Sequence, residues 1–166
     1  MKFGNCWLLC GCALLFVGCT DDNPKNQHTD QRSGLTQAQA QPSWLDAMSD
    51  IEPASWLIAR EANAGRALKA EDADKVRQSI ATAAKVFKED PRMIANKAVQ
   101  LETMLDPTDG RETAVGLIAV LTDVVRVPGK VEGFGAVGQQ YYNLRKTGLS
   151  ERDALNDLSR RYGSRG

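Results

Sequence analysis

The chain has 166 residues, with 21 Lys plus Arg against 21 Asp plus Glu, a formal net charge of zero and 25% charged residues. That balance excludes the broad basic field on which nucleic-acid binding draws, and the length suits one domain with a core of its own. The single histidine is His28 and no cysteine follows Cys19. The body of the chain therefore has no histidine-based triad and no Cys/His metal site of its own, and neither a metal nor a cofactor is expected.

The first eighteen residues, MKFGNCWLLCGCALLFVG, run from a short start carrying Lys2 through an apolar stretch, Cys6 to Val17, to the small residue Gly18. That is the layout of an export signal. The apolar stretch is about a dozen residues, against the roughly twenty a spanning helix needs. At its end, Phe16-Val17-Gly18-Cys19 resembles the lipobox of bacterial lipoprotein signal peptides, with Phe16 where Leu is commoner. The resemblance implies cleavage before Cys19, a diacylglyceryl group on its sulfur and an acyl chain on its amine. Three chains at roughly 0.8 kcal/mol per buried methylene make a stable anchor. Thr20 follows the cysteine, and the resemblance then favours the outer membrane, facing the periplasm. Cys6, Cys10 and Cys12 leave with the signal.

From Thr20 to Pro42 the chain is rich in Asn, Gln, Asp, Thr and Ser, with Leu35 its only large apolar residue. It cannot bury enough surface to offset ordering entropy. A tether of this length spans about 25 Å as a random coil and about 75 to 80 Å drawn straight.

Residues 43–166 read as helix almost throughout. A short helical piece over Ser43 to Ser49 is expected first, with Trp44, Met48 and Ile51 as a stripe that clasps the domain. Pro53 then opens a helix through Trp56, Leu57 and Leu68. Val76, Ile80, Ala83 and Phe87 share one face of a helix beginning near Asp72. Asp90-Pro91 supplies an N-cap and a first-turn proline for a helix with Ile94, Ala98, Leu101 and Leu105 on its face. Asp106-Pro107 is read as its end. Arg111 to Arg126 is apolar on nearly every side, which places it at the centre of the bundle. After a turn at Val127–Lys130, a helix over Phe134 to Thr147 stops at Gly148. Ser150 and Asp153 form a capping box for one that ends at Tyr162-Gly163. The expected fold is all-α, an irregular antiparallel bundle of six or seven short helices.

"GFGAVG", Gly133 to Gly138, matches the dinucleotide fingerprint letter for letter. That fingerprint needs a preceding strand and an acidic residue on a second strand; Asp153 and Asp157 fall in a helix instead. Close packing of this helix against the apolar one explains the small residues better. Lytic transglycosylases are helical envelope enzymes, and their Glu-Ser start and Gly-Leu-Met-Gln segment are missing. The basic end of the chain, with Arg145, Lys146, Arg152, Arg160, Arg161 and Arg165 beside Tyr141 and Tyr142, could meet an acidic partner or offset helix dipoles. Trp44 and Trp56, in the duplicated Ser-Trp-Leu, are the other candidate partner contacts.

The folded part shows no resemblance to a known family on these residues. The expected role is a non-catalytic adaptor, anchored to the membrane by lipid, that binds an envelope protein and assists an assembly such as a secretion or conjugation apparatus. The alternatives are an immunity or exclusion lipoprotein and a peptidoglycan-acting enzyme.

Overall fold

Glu52 and Pro53 start the first helix by complementary means. The Glu52 carboxylate accepts from the Ala54 and Ser55 backbone N–H groups at 2.9 and 2.7 Å, and Pro53 lacks an N–H that the first turn would leave unpaired. The computed structural model describes residues 41–109, 112–125 and 132–162. The export signal, Cys19, His28, the tether up to residue 40 and the turn Val127–Lys130 lie outside the described residues.

The helices among the described residues are α1 (Pro53–Asn63), α2 (Ala70–Phe87), α3 (Pro91–Asp109), α4 (Ala114–Val124), α5 (Phe134–Lys146) and α6 (Glu151–Tyr162). They form an irregular antiparallel bundle, with no strand among the described residues. The punctuation read in the sequence mostly becomes helix ends. Asp90 caps α3 by accepting from the Arg92 N–H at 2.8 Å, and Thr113 caps α4 through Gly116 at 3.1 Å. Gly148 closes α5 with φ +93°, a conformation that costs a residue without Cβ little. Ser150 Oγ accepts from the Asp153 N–H at 3.2 Å and donates to its carboxylate at 2.6 Å.

Three boundaries differ from the sequence expectation. α1 stops at Asn63, and the turn at Gly65, φ +75°, leaves Leu68 in the connection. α3 carries on through Pro107 to Asp109, because a proline so near a helix end forfeits a single backbone bond. Ser43 to Ser49 forms no helix.

The faces predicted for α2 and α3 are buried: Val76, Ile80, Ala83 and Phe87 on one, Ile94, Ala98, Leu101 and Leu105 on the other. α3 packs against α1, α2, α4 and α5, while α4 packs against α2, α3, α5 and α6. The centre is thus shared, and α4 is not wrapped on every side. It leaves a strip of Gly116, Ala119 and Asp123 exposed, which small and polar residues permit. Phe87 meets Phe134 edge to face at 5.4 Å between ring centres, joining the end of α2 to the start of α5.

The glycines of "GFGAVG" serve this packing. A Cβ on Gly138 would lie 3.1 Å from Leu101 Cδ2 and 3.9 Å from Leu121 Cδ1, and one on Gly135 would lie 3.1 Å from Lys97 Cδ. α5 therefore lies closest to α3 rather than to the apolar α4. Glu89, between α2 and α3, accepts from the Phe134 N–H at 2.9 Å and pairs with Lys97, so it caps α5 from another element.

Candidate docking surface

Ahead of α1, residues 41–50 form a strap without helix or strand, with a turn at residues 47–48. Asp46 Oδ1 accepts from the Met48 N–H at 2.8 Å and the Asp46 carbonyl from the Ser49 N–H at 3.2 Å. Asp and Ser side chains here compete with the helical ladder for the same backbone groups, which explains the missing helix. Leu45 is the strap's core residue, 1% exposed. Its N–H donates to Asn96 Oδ1 at 2.9 Å and its carbonyl accepts from Asn96 Nδ2 at 2.8 Å. A fully buried amide on α3 thus pairs with the strap as a neighbouring strand would.

Further bonds hold the same segment. Trp56 Nε1 donates to the Pro42 carbonyl at 2.8 Å, Asn63 Nδ2 to Gln41 Oε1 at 2.7 Å, and Arg92 Nη1 to the Asp46 carbonyl at 2.9 Å. Their combined effect is to fix which side of the strap faces water.

That side carries large apolar residues among polar ones. Trp44 is 48% exposed, Met48 88%, Ile51 41%, and Met93, on the same end of α3 as Arg92 and Asn96, 42%. These are the large apolar side chains that stand exposed among the described residues, and all belong to the strap, its junction with α1, or the helix end to which it is tied. The stripe of Trp44, Met48 and Ile51 therefore does not clasp the domain, as its spacing suggested; Leu45 does so instead. Fully burying a side chain such as Met contributes about 1.5–3 kcal/mol, and here that gain is left unrealised.

The surroundings are acidic. Residues 41–52 contain Asp46, Asp50 and Glu52 and no Lys or Arg, and Asp90 lies next to the start of α3. Arg92 is the cation tied to the strap: its guanidinium is held by the Asp46 carbonyl and lies 3.8 Å from the Asp90 carboxylate. Glu52, although burial opposes it, is held below its ordinary carboxylate value of 4.5 by hydrogen bonds from Ser55 and Ala54 and by the charge of Arg77.

The other candidate contacts divide by burial. Trp56 is 1% exposed and packs beneath Arg60, whose guanidinium lies 5.4 Å from its ring centre. Tyr141 is fully buried, and its hydroxyl donates to Glu112 Oε1. Burial first, and then the Glu112 carboxylate, push that phenol well above its ordinary value. Arg145, read in the sequence as part of an exposed basic end, is buried. Its Nε and Nη2 reach the two Glu112 oxygens at 3.2 and 3.4 Å, and Nη1 donates to the Leu149 carbonyl at 2.6 Å. Trp56, Tyr141 and Arg145 thus serve the bundle's interior. Tyr142 is half-buried with Lys146 Nζ 5.8 Å from its ring centre.

Sequence reasoning missed Asn96, Glu112 and Glu61. Glu61 is buried, bound by Arg66 Nε at 2.7 Å, and Arg66 continues to Glu102 at 3.2 Å. Asn96 was legible in part, as a polar residue between Ile94, Ala95 and Ala98 on a buried face.

A groove of about 720 Å³ lies between α2 and α4 and makes a weaker site. Of its polar lining, Thr82 and Thr122 donate to their own helices at the Gln78 and Ile118 carbonyls, 2.8 and 2.6 Å, and Lys75 pairs with Asp72 at 2.9 Å. These three groups are thus already bound to partners on their own helices. Among the described residues no group of three or more His, Cys, Asp or Glu is placed to hold a metal, and no helix is long and apolar enough to cross a membrane.

Among the described residues the chain is a small all-α bundle whose exposed large apolar side chains stand on the strap, its junction with α1 and the start of α3. The chain belongs to the MoxZ family, whose model matches residues 54–163. This corrects the reading of the folded part as one without a recognisable family. The matched span covers the helical bundle, from the start of α1 to the end of α6. The strap lies just outside the matched span, and Met93 lies inside it. No curated protein and no solved structure matches the chain.

Proposed function

We propose that the chain is a non-catalytic accessory protein, anchored at the bacterial envelope by lipid on Cys19, that docks an envelope protein through the strap. The observation that carries this reading is the combination of Met48 at 88% and Trp44 at 48% exposure with a backbone fixed from behind by Asn96, Arg92 and Trp56. A surface held rigidly in an unfavourable exposure is pre-organised for a partner, which lowers the ordering cost of association. Membership in the MoxZ family is consistent with this at the coarse level of a small accessory protein.

The lipobox-like Phe16-Val17-Gly18-Cys19 supports the anchor, and Thr20 supports the outer membrane. The polar run between Cys19 and the strap gives reach across the periplasm to an assembly of the secretion or conjugation kind. The test is site-specific photo-crosslinking in cells with the full chain, the reactive side chain at position 48 and, as control, at Ser79 in the α2–α4 groove. Position 48 is expected to capture a defined envelope protein that position 79 does not. Capture of nothing from position 48 would remove the basis of the reading.

A further inference from the structure

We infer that the strap surface takes a segment of another protein that is both apolar and basic, such as an amphipathic helix with Lys or Arg flanking its apolar residues. The inference rests on the accessory reading above and names the chemistry of its partner.

Each occupant must satisfy two properties at once. Trp44, Met48, Ile51 and Met93 offer apolar area that water covers poorly. Asp46, Asp50 and Asp90 carry negative charge beside it; against them stands Arg92, held by the Asp46 carbonyl and 3.8 Å from the Asp90 carboxylate, and the adjoining strap and α1 offer no Lys or Arg before Arg60. An isologous pairing with a second copy would bury apolar against apolar, but would set the acids of one strap against the same acids of the other. Like charges so placed oppose association.

A head-to-tail pairing answers the charge through α6, where Arg152, Arg160 and Arg161 are exposed. It fails on the other count, because α6 leaves no large apolar side chain exposed. An anionic bilayer repels the acids, although Trp44 alone would suit its interface. The chain's own segment from Thr20 to Ala40 holds Leu35 as its one large apolar residue and cannot cover four. A basic amphipathic segment meets both requirements, through the helix-in-groove mode in which apolar anchors give affinity and charge gives register. Two of the four apolar residues are methionines, whose unbranched, polarizable side chains adapt to varied partners.

The probes are two fluorescent 18-residue peptides with the same Leu and Ile face, one with Lys and one with Glu on the polar face. Each is crosslinked to the full chain carrying the photo-reactive side chain at position 48. The Lys peptide is expected to give about tenfold more adduct than the Glu peptide, a difference that shrinks at high salt. It should shrink likewise in the Asp46→Asn/Asp50→Asn variant, where Asn keeps an oxygen for the Met48 N–H and the strap turn persists. Equal yields, a preference for the Glu peptide, or no adduct with either would overturn the inference. So would cellular capture, from position 48, of lipid, of a second copy, or of a segment without Lys or Arg. If position 48 captures an envelope protein in cells while the Lys peptide shows no advantage, the partner chemistry is wrong and the docking role stands. If both fail, the docking role goes as well.

Discussion

Asn96 donates to the Leu45 carbonyl at 2.8 Å and accepts from its N–H at 2.9 Å, across 51 positions of sequence. Removing the amide leaves two backbone groups without partners next to a core position, and an unsatisfied buried group costs about 1–3 kcal/mol. Asn96→Ala is expected to lower stability by about 2 kcal/mol in urea denaturation and to speed chymotryptic cleavage at Trp44. A strap that stays as protected as in the parent would show that Asn96 does not hold it. The Glu112–Arg145 pair is a second buried case. Side-chain exposures of 7% and 6% put it where breaking an ion pair costs about 3–5 kcal/mol, although replacing both members with apolar residues is often tolerated. Glu112→Ala should therefore destabilise by about 3 kcal/mol, and Glu112→Leu/Arg145→Met by less, which a double-mutant cycle of denaturation midpoints reads directly.

At the scale of elements, the helix ends were legible because their signals are local. Asp90-Pro91, Gly148 and Ser150 with Asp153 act within three or four residues of themselves, and each does in the structure what its type suggests. Glu52 at the head of α1 acts as locally, although only Pro53 beside it was read as the start of that helix. Its pKa is depressed in the folded chain, so its contribution is present above the unfolded value near 4.5 and is lost as pH falls through the lower folded value. Glu52→Ala is expected to cost about 1 kcal/mol at pH 7 and progressively less in acid, as thermal melts across pH would record.

The strap was not legible for the opposite reason. Whether Trp44 or Leu45 points inward is decided by Asn96, and helical spacing says nothing of a partner so distant. Arg145 misled in the same way: it looked like one more cation near a helix end until Glu112, 33 positions earlier, drew it inside. The apolarity of α4 pointed to a centre that α3 in fact shares, since α3 spends its more polar composition on Asn96 and on Lys97, which pairs with Glu89 between elements.

For the whole molecule, the sequence-level expectation of an all-α bundle matches the structure because core faces recur at helical spacing along every element. The family did not emerge from those same residues, since apolar positions three and four apart are common to most helical bundles and carry little that is specific. The candidate site was half visible: Trp44, Met48 and Ile51 were singled out together, but as a clasp. At this scale the anchor makes its own prediction. If lipid on Cys19 anchors the chain as proposed, Cys19→Ser in the full chain should move the protein from the membrane fraction to the soluble fraction, followed by immunoblotting of fractionated cells, since the three acyl chains proposed there would be lost at once.

The central claim, that the exposed face of the strap exists for a partner and not for the fold, is tested most directly by the Trp44→Ser/Met48→Ser variant in an affinity capture from solubilised membranes, with its melting temperature measured alongside. Both side chains lie largely outside the core, so the account predicts a melting temperature close to the parent's and loss of the envelope partner that the parent retains. Undiminished capture of that partner by the double variant would contradict it.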